Sequence, residues 1–242
     1  MHPLVKKIKQ ADYAFQMIHE HDRIAVGISG GKDSSVLLWA LNEYRKSSPK
    51  SFTVGGIHID LGFSDNTLHA LEDYFLAQDL TLIQSDSQIA RILKQHEKNN
   101  HLPCSMCSRL KKGQVVKEAQ AHGFNKIAFA HHADDAIETL FMNMIHGGKL
   151  ATFDPVTYLS REDIHLIRPL IFVREQHIIQ TQQQLNIPVV ASLCPNDKNT
   201  EREAVKQLLT SLYSHYDKAE KNFLTMLSNT HQVRLWTQAK DE

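Results

Sequence analysis

The sequence predicts an α/β fold, a doubly wound parallel sheet with helical N- and C-terminal additions. Three observations predict it. Short apolar runs recur at 24–28, 52–59, 80–83 and 126–130. Stretches with helical spacing lie between them. A glycine turn joins the first run to the helix that follows it. Short strands alternating with helices form βαβ units, which build parallel sheets with crossovers.

Residues 1–20 read as an N-terminal helix, with Leu4, Ile8, Tyr13, Phe15 and Ile18 spaced to pack beside the first strand. The main domain spans 21–192. Ile24 to Ile28 is its first strand, and Val36, Leu37 and Leu38 open a helix that ends near Ser47-Ser48-Pro49. The second strand, Phe52 to Ile59, closes on Ile57-His58-Ile59-Asp60. Ligands collect at the carboxyl edge of such sheets, so His58 and Asp60 are expected beside a nucleotide or its metal. A turn role before Leu61-Gly62 is the alternative for Asp60. Residues 65–78 read as a helix, Leu80 to Ile83 as a strand and Ser87 to Glu97 as a helix. A cysteine-bearing segment, 99–113, precedes the strand at 126–130. The pattern breaks at Cys194-Pro195-Asn196-Asp197, and 193–242 reads as a helical C-terminal extension. There Leu208, Leu209, Leu212 and Tyr213, then Phe223, Leu224 and Leu227, form apolar faces for packing or for a dimer.

The 242 residues carry 27 basic and 27 acidic side chains, so net charge offers no case for nucleic-acid binding. An RNA partner would need a local basic patch. No run reaches the ~18 apolar residues of a membrane span. The N-terminus lacks an apolar signal core. Three cysteines do not make a secreted disulfide framework. A cytoplasmic protein without membrane contact is expected.

The turn after the first strand is the most informative stretch. In Ser29-Gly30-Gly31-Lys32-Asp33-Ser34 the glycines let main-chain N–H groups close on an anion, at the positive end of the next helix. Ser29, Ser34 and Ser35 add hydroxyls, and Lys32 adds a charge. The common phosphate loop needs glycine where Val26 stands and Ser or Thr where Asp33 stands. Asp33 instead caps the helix and suits a polyphosphate only with Mg²⁺ between them. The hexapeptide resembles the pyrophosphatase loop of the PP-loop ATPases, the adenine nucleotide alpha hydrolase-like enzymes. That resemblance implies ATP cleavage between the α and β phosphates, transfer of AMP to a substrate carbonyl oxygen and release of pyrophosphate.

Cys104 and Cys107 form a Cys-x-x-Cys pair, and Cys194 is the third cysteine. Three thiolates leave one place open on a 4Fe–4S cluster. A zinc site with His101, a catalytic disulfide and three unrelated thiols are the other readings. After the strand at 126–130, His131-His132-Ala133-Asp134-Asp135 faces the first loop. Its aspartates can hold Mg²⁺ or cap a helix, and His131 can reach a phosphate oxygen.

Pro103-Cys104-x-x-Cys107-Ser108-Arg109-Leu110-x-x-Gly113 is similar to the signature of the tRNA 2-thiocytidine synthetases. So are Ala130-His131-His132-x-Asp134-Asp135-x-x-Glu138-Thr139, Gly147-Gly148-Lys149 and Ile167-Arg168-Pro169-Leu170, in the family's order. The resemblance implies a 4Fe–4S cluster on Cys104, Cys107 and Cys194 and thiolation of cytidine 32 of tRNA. It implies catalytic roles for Lys32, Lys111, Asp135 and the cysteines. ATP would lie against Ser29 to Ser35, His58, Asp60, His131 and Arg168, with Mg²⁺ on Asp33, Asp134 and Asp135. The sulfur donor would be a cysteine desulfurase or sulfide. Arg109, Lys111, Lys112, Lys149, Arg168 and Arg174 would supply the basic patch for tRNA. The family's usual second Cys-x-x-Cys is absent: Cys194 stands without a pair, and Arg202 occupies the register of its second cysteine. A lysidine synthetase-like ligase with structural zinc and a nucleotide- or cluster-binding sensor without turnover are the rival functions.

Overall fold

The computed structural model describes residues 1–63, 68–97, 102–190 and 201–236. His101 and Cys194 lie outside them. Helix α1 (Pro3–Phe15) starts on a proline, and His2 Nδ1 accepts the Leu4 N–H. It stops at Phe15, short of the expected residue 20. Gln16 turns left-handed (φ 50°), and Met17 and Ile18 fold into the core instead. Then come β1 (Arg23–Ile28), α2 (Lys32–Ser47), β2 (Thr53–Asp60) and α3 (His69–Leu76). Strand β3 (Leu82–Asp86) starts two residues later than its apolar run. Leu80 is used to close α3, its N–H donating to Phe75 O after a left-handed Asp79. Helix α4 (Ile89–Gln95), α5 (Cys104–Ala121), β4 (Lys126–Ala128) and α6 (Ala133–Gly147) follow. A hairpin of β5 (Val156–Leu159) and β6 (Ile164–Ile167) leads to α7 (Glu175–Gln184), and α8 (Glu201–His215) and α9 (Ala219–Ser228) close the chain.

The strand order is β3-β2-β1-β4-β6-β5. All neighbours run parallel except the edge strand β5, which is antiparallel to β6. The hairpin needs only a short turn, which is why no helical pattern separates its two strands. The order reverses direction between β1 and β4, and their carboxyl ends therefore splay apart into a crevice.

Alternation along β1 sends Ile24, Val26 and Ile28 to one face of the sheet and Ala25 to the other. The first face packs under α1, α2, α3 and α7, with Leu37, Leu38, Leu41, Phe75 and Ile178 at its centre. The second packs under α4 and α5 through Ile57, Ile59, Leu93, Val115, Val116 and Ile127. Gly56 of β2 lets the first face close up: a Cβ there would lie 2.6 Å from Leu82 Cδ1 and 3.2 Å from Leu38 Cδ2.

The chain groups into two compact units, Met1–Ala136 with Phe153–Thr200, and Ile137–Thr152 with Glu201–Glu242. The N-terminal helix is thus built into the core of the larger unit, and the C-terminal helices are joined by most of α6. In the smaller unit the expected apolar face packs internally: Leu209, Leu212, Tyr213, Phe223, Leu224 and Leu227 surround Ile137 and Phe141. Leu208 instead stays exposed. Arg202 meets the buried Glu138 carboxylate at 3.1 Å, tying α8 to α6.

One buried carboxylate anchors the N-terminal helix. Asp12, 1% exposed, accepts from the Ile18 N–H (2.8 Å), the Tyr44 hydroxyl (2.8 Å) and Lys50 Nζ (2.9 Å). Burial, and then the Asp12 charge, push the Tyr44 phenol well above its usual value. A raised acid contributes stability below its unfolded value and loses it as pH rises past that value. Tyr44→Phe should therefore cost about 1 kcal/mol near neutrality. The gap from wild type should narrow above pH ~10, read by urea denaturation at both pH values.

Candidate active site

The loop after β1 is ordered by its own hydroxyls. The Ser29 N–H donates to Ser34 Oγ at 3.1 Å, and the Gly31 N–H donates to Ser29 Oγ at 3.3 Å. Ser34 and Ser35 both donate to Gly31 O at 3.1 Å. Ser35 is fully buried, so its hydroxyl shapes the turn and does not reach a ligand. Gly30 takes φ +84°, the left-handed region that favours glycine, and its carbonyl accepts from the Val190 N–H. No side chain caps Gly31 at the start of α2. The first-turn N–H groups there are left for an anion.

Lys32 is not isolated on this turn. Its Nζ lies 2.9 Å from Glu175 Oε1 and 3.2 Å from Asp33 Oδ1. Burial alone would lower its pKa, but Asp33 and Glu175 outweigh that and hold the ammonium above its ordinary value. Glu175 is the first residue of α7, and its N–H donates to Asp134 Oδ2 at 2.7 Å. Arg174 grips the same carboxylate through Nε (3.0 Å) and Nη2 (2.6 Å). His132 Nδ1 adds a contact at 3.5 Å. Burial opposes ionisation of Asp134, yet His132, Arg174 and the Glu175 N–H hold its carboxyl far below the usual range. Both its oxygens are engaged in joining α6 to α7. Asp134, expected on Mg²⁺, thus also serves as a tie between two helices.

Asp135 is placed differently. Its Oδ2 accepts the His132 N–H at 2.9 Å, the return half of a capping box, and its side chain lines a cavity of about 520 Å³. The cavity opens at the crevice between β1 and β4. Ile28, Ser29, Asp33 and Ser34 line it from the first loop, and Phe129, Ala130 and His131 from the second. Arg168 lines it after β6, and Ser108, Lys111, Lys112 and Val115 line it from α5. Its size is that of an ordinary small-molecule site. The sequence separated these groups by up to 140 positions, and the sheet reversal gathers them.

Arg168 is held by Thr157 Oγ1 (3.2 Å) and Asp154 O, with its guanidinium 5.0 Å from the Phe153 ring. The ring of His131 packs at a tilt against the same Phe153, with centroids 5.1 Å apart. Burial lowers the Arg168 pKa. His58 is buried beside β1, its Nδ1 3.0 Å from Ile28 O. Burial, with the Lys111 charge adding to it, pushes that imidazole below its usual value. Asp60 makes the turn: its Oδ1 accepts the Gly62 N–H at 2.8 Å, and its carbonyl accepts from Ser87. Neither His58 nor Asp60 is among the cavity's lining residues.

Cys104 and Cys107 occupy the first turn of α5, one exposed and one half-buried, and no disulfide joins them. Helical spacing sets Cys104 in line with Ser108, Lys111 and Val115, on the face that lines the cavity. Among the described residues no group of three metal-binding side chains is assembled. The expected third ligand, Cys194, lies outside them. Of the expected basic patch, Arg174 is committed to Asp134 and Arg168 to the Phe153 layer. Lys111 faces the cavity. Lys149 belongs to the smaller unit. Glu175 and Phe153 were missed by sequence reasoning. An acid at a helix start is ordinary, and only the fold brings it to Lys32.

A parallel sheet with this loop at its reversal point, its aspartates and its helix dipole facing one crevice, defines a PP-loop nucleotide-binding protein. A family model described as a PP-loop domain matches residues 3–212. The tRNA-cytidine(32) 2-sulfurtransferase of Citrifermentans bemidjiense is 34% identical over 231 residues, covering 95% of this chain and 91% of its own. That of Pelobacter propionicus is 33% identical, covering 98% and 90%. The U34-tRNA thiolase NcsA of Methanococcus maripaludis, solved with its 4Fe–4S cluster, shares the fold with a TM-score of 0.73 at 18% identity, over 96% of this chain and 78% of that one. The chain belongs to the PP-loop family and, within it, to the tRNA-cytidine(32) 2-sulfurtransferases.

Asp134→Asn should cost about 3 kcal/mol of stability at pH 7, because it removes the buried charge on which the Arg174 fork and the Glu175 N–H converge. Wild type gains in full from ionised Asp134 above the unfolded carboxyl pKa and loses that gain progressively as pH falls towards the lower folded value, so the difference should shrink below pH ~4. Denaturant melts across that range test it.

Proposed function

We propose that this protein is an ATP-dependent tRNA sulfurtransferase acting in the cytoplasm on a pyrimidine C2 carbonyl, with cytidine 32 as the target. One observation carries the reading: a single crevice gathers the β1 loop, Asp33, Asp135 and Lys111, with Cys104 on the same face of α5. The ATP phosphates lie over the start of α2, where Lys32 exchanges Glu175 for phosphate oxygens. The target base leaves its stack to enter the crevice. Its C2 oxygen attacks the α phosphorus, a new P–O bond forms, the bond to the β phosphate breaks, and pyrophosphate leaves. Lys32 and Lys111 offset the charge that builds on the phosphates. AMP is then the leaving group on C2, a sulfur nucleophile adds there, and AMP departs. Sulfur comes from a desulfurase or from sulfide.

Two bound groups belong to this reading. The carboxylates of Asp33 and Asp135 are hard oxygen donors on one cavity, which fits Mg²⁺, and that ion would screen the polyphosphate. The first-turn thiols of Cys104 and Cys107, in reach of solvent, fit two places on a cluster whose third ligand is Cys194. When bound, a 4Fe–4S cluster on three thiolates supplies one iron with an open position.

Cys104→Ala should bind ATP normally yet form no 2-thiocytidine, read by nucleoside mass spectrometry of tRNA. Full thiolation by that variant would sink the cluster role. Asp135→Asn and Lys111→Ala should each lower turnover by roughly 100-fold or more, measured as pyrophosphate release with tRNA present. Anaerobically purified protein should hold about four irons and four sulfides per chain. Zinc without sulfide would make the cysteines structural and favour a ligase of the lysidine type.

A further inference from the structure

Helix α5 has a second feature that the crevice does not use. Gly113 stands in its middle, where glycine weakens a helix relative to alanine. A Cβ built there would find no neighbouring atom within 4 Å, so packing does not call for glycine. The residue is exposed and forms part of a groove of about 380 Å³. Arg109, Lys112, Gly113 and Lys117 of α5 line it, with Leu159 and Glu162 of the β5–β6 hairpin opposite. Arg109 and Lys117 are exposed, and among the described residues no carboxylate pairs with any of the three cations. Glu162 is the one acid in the lining. Lys112 lines both this groove and the crevice.

We infer that this groove carries the sugar–phosphate backbone of the RNA strand whose base enters the crevice. The inference rests on the sulfurtransferase reading and adds the route of the substrate. The cations from Arg109 to Lys117 run along about 12 Å of helix, which follows a length of strand and not a single phosphate. Backbone contacts of this kind position a nucleic acid without reading its sequence. Glycine between the cations removes the side chain that would hold a ribose away from the helix main chain. The neutral net charge of the chain is compatible with this, because the cations needed are local.

The test measures binding of an unmodified tRNA transcript by fluorescence anisotropy over a range of salt concentrations, with Tm and ATP binding as companions. Gly113→Ala should raise Tm by about 2 °C. Gly113→Gln should leave Tm and ATP affinity at or above wild type yet weaken tRNA binding by roughly three- to tenfold. Lys117→Ala should weaken it similarly and lower the slope of log affinity against log salt by about 1. Wild-type tRNA affinity and salt slope in both Gly113→Gln and Lys117→Ala would overturn the groove and leave the sulfurtransferase reading standing. Failure of the unaltered protein to bind tRNA would overturn both.

Discussion

The carboxylate of Asp134 holds the working end of this protein together. It receives a forked guanidinium from Arg174, an N–H from the first residue of α7 and a histidine contact from its own helix start. Through Glu175 that anchor reaches Lys32, so the loop after β1, the start of α6 and the start of α7 are fixed relative to one another. Desolvating such a charge is expensive, and the arrangement tolerates it because several donors share the carboxylate. The neighbouring Asp135 caps the start of the same helix through the His132 N–H and lines the crevice. Two adjacent acids thus take different surroundings from the directions in which a helix points them.

The sheet supplies the rigid part. Cores on both faces clamp β1 and β4, and the loops that follow those strands inherit their positions. Serine hydroxyls then satisfy the tight turn from within, so little reorganisation is needed when an anion arrives. Lys32 waits in an ion pair with Glu175 and Asp33, which keeps it charged and aimed near the helix start. Across the crevice, Lys111 and Arg168 present cations, while Asp33 and Asp135 present carboxylates. Such a division suits a reaction in which a polyphosphate is bound, a metal screens it and pyrophosphate leaves.

Much of the site was legible in local sequence because its chemistry is local. A glycine turn between a strand and a helix, a Cys-x-x-Cys pair and an acidic pair after a strand each carry their spacing within a few residues. Ser35 and Asp60 were less transparent. A serine after Lys-Asp-Ser looks like a phosphate ligand until burial shows its hydroxyl turned to Gly31 O. Asp60 at a strand end looks like a metal ligand until its oxygen is found on the Gly62 N–H. In both cases the competing main-chain partner lies close in sequence, but only the backbone path decides that it wins.

By itself the sequence determined the α/β class, the nucleotide loop, the Cys-x-x-Cys pair and the family, because periodicity and short motifs record which residues must be neighbours along the chain; that the pair opens a helix came from the structure. Tertiary structure decided which distant groups meet. Glu175 reaches Lys32 across 143 positions, Arg174 reaches Asp134 across 40, and Lys111 joins Arg168 on one crevice because the strand order turns back between β1 and β4. No pattern of hydrophobic spacing encodes such pairings. They arise when buried charges take the partners that the packed sheet and helices place within reach.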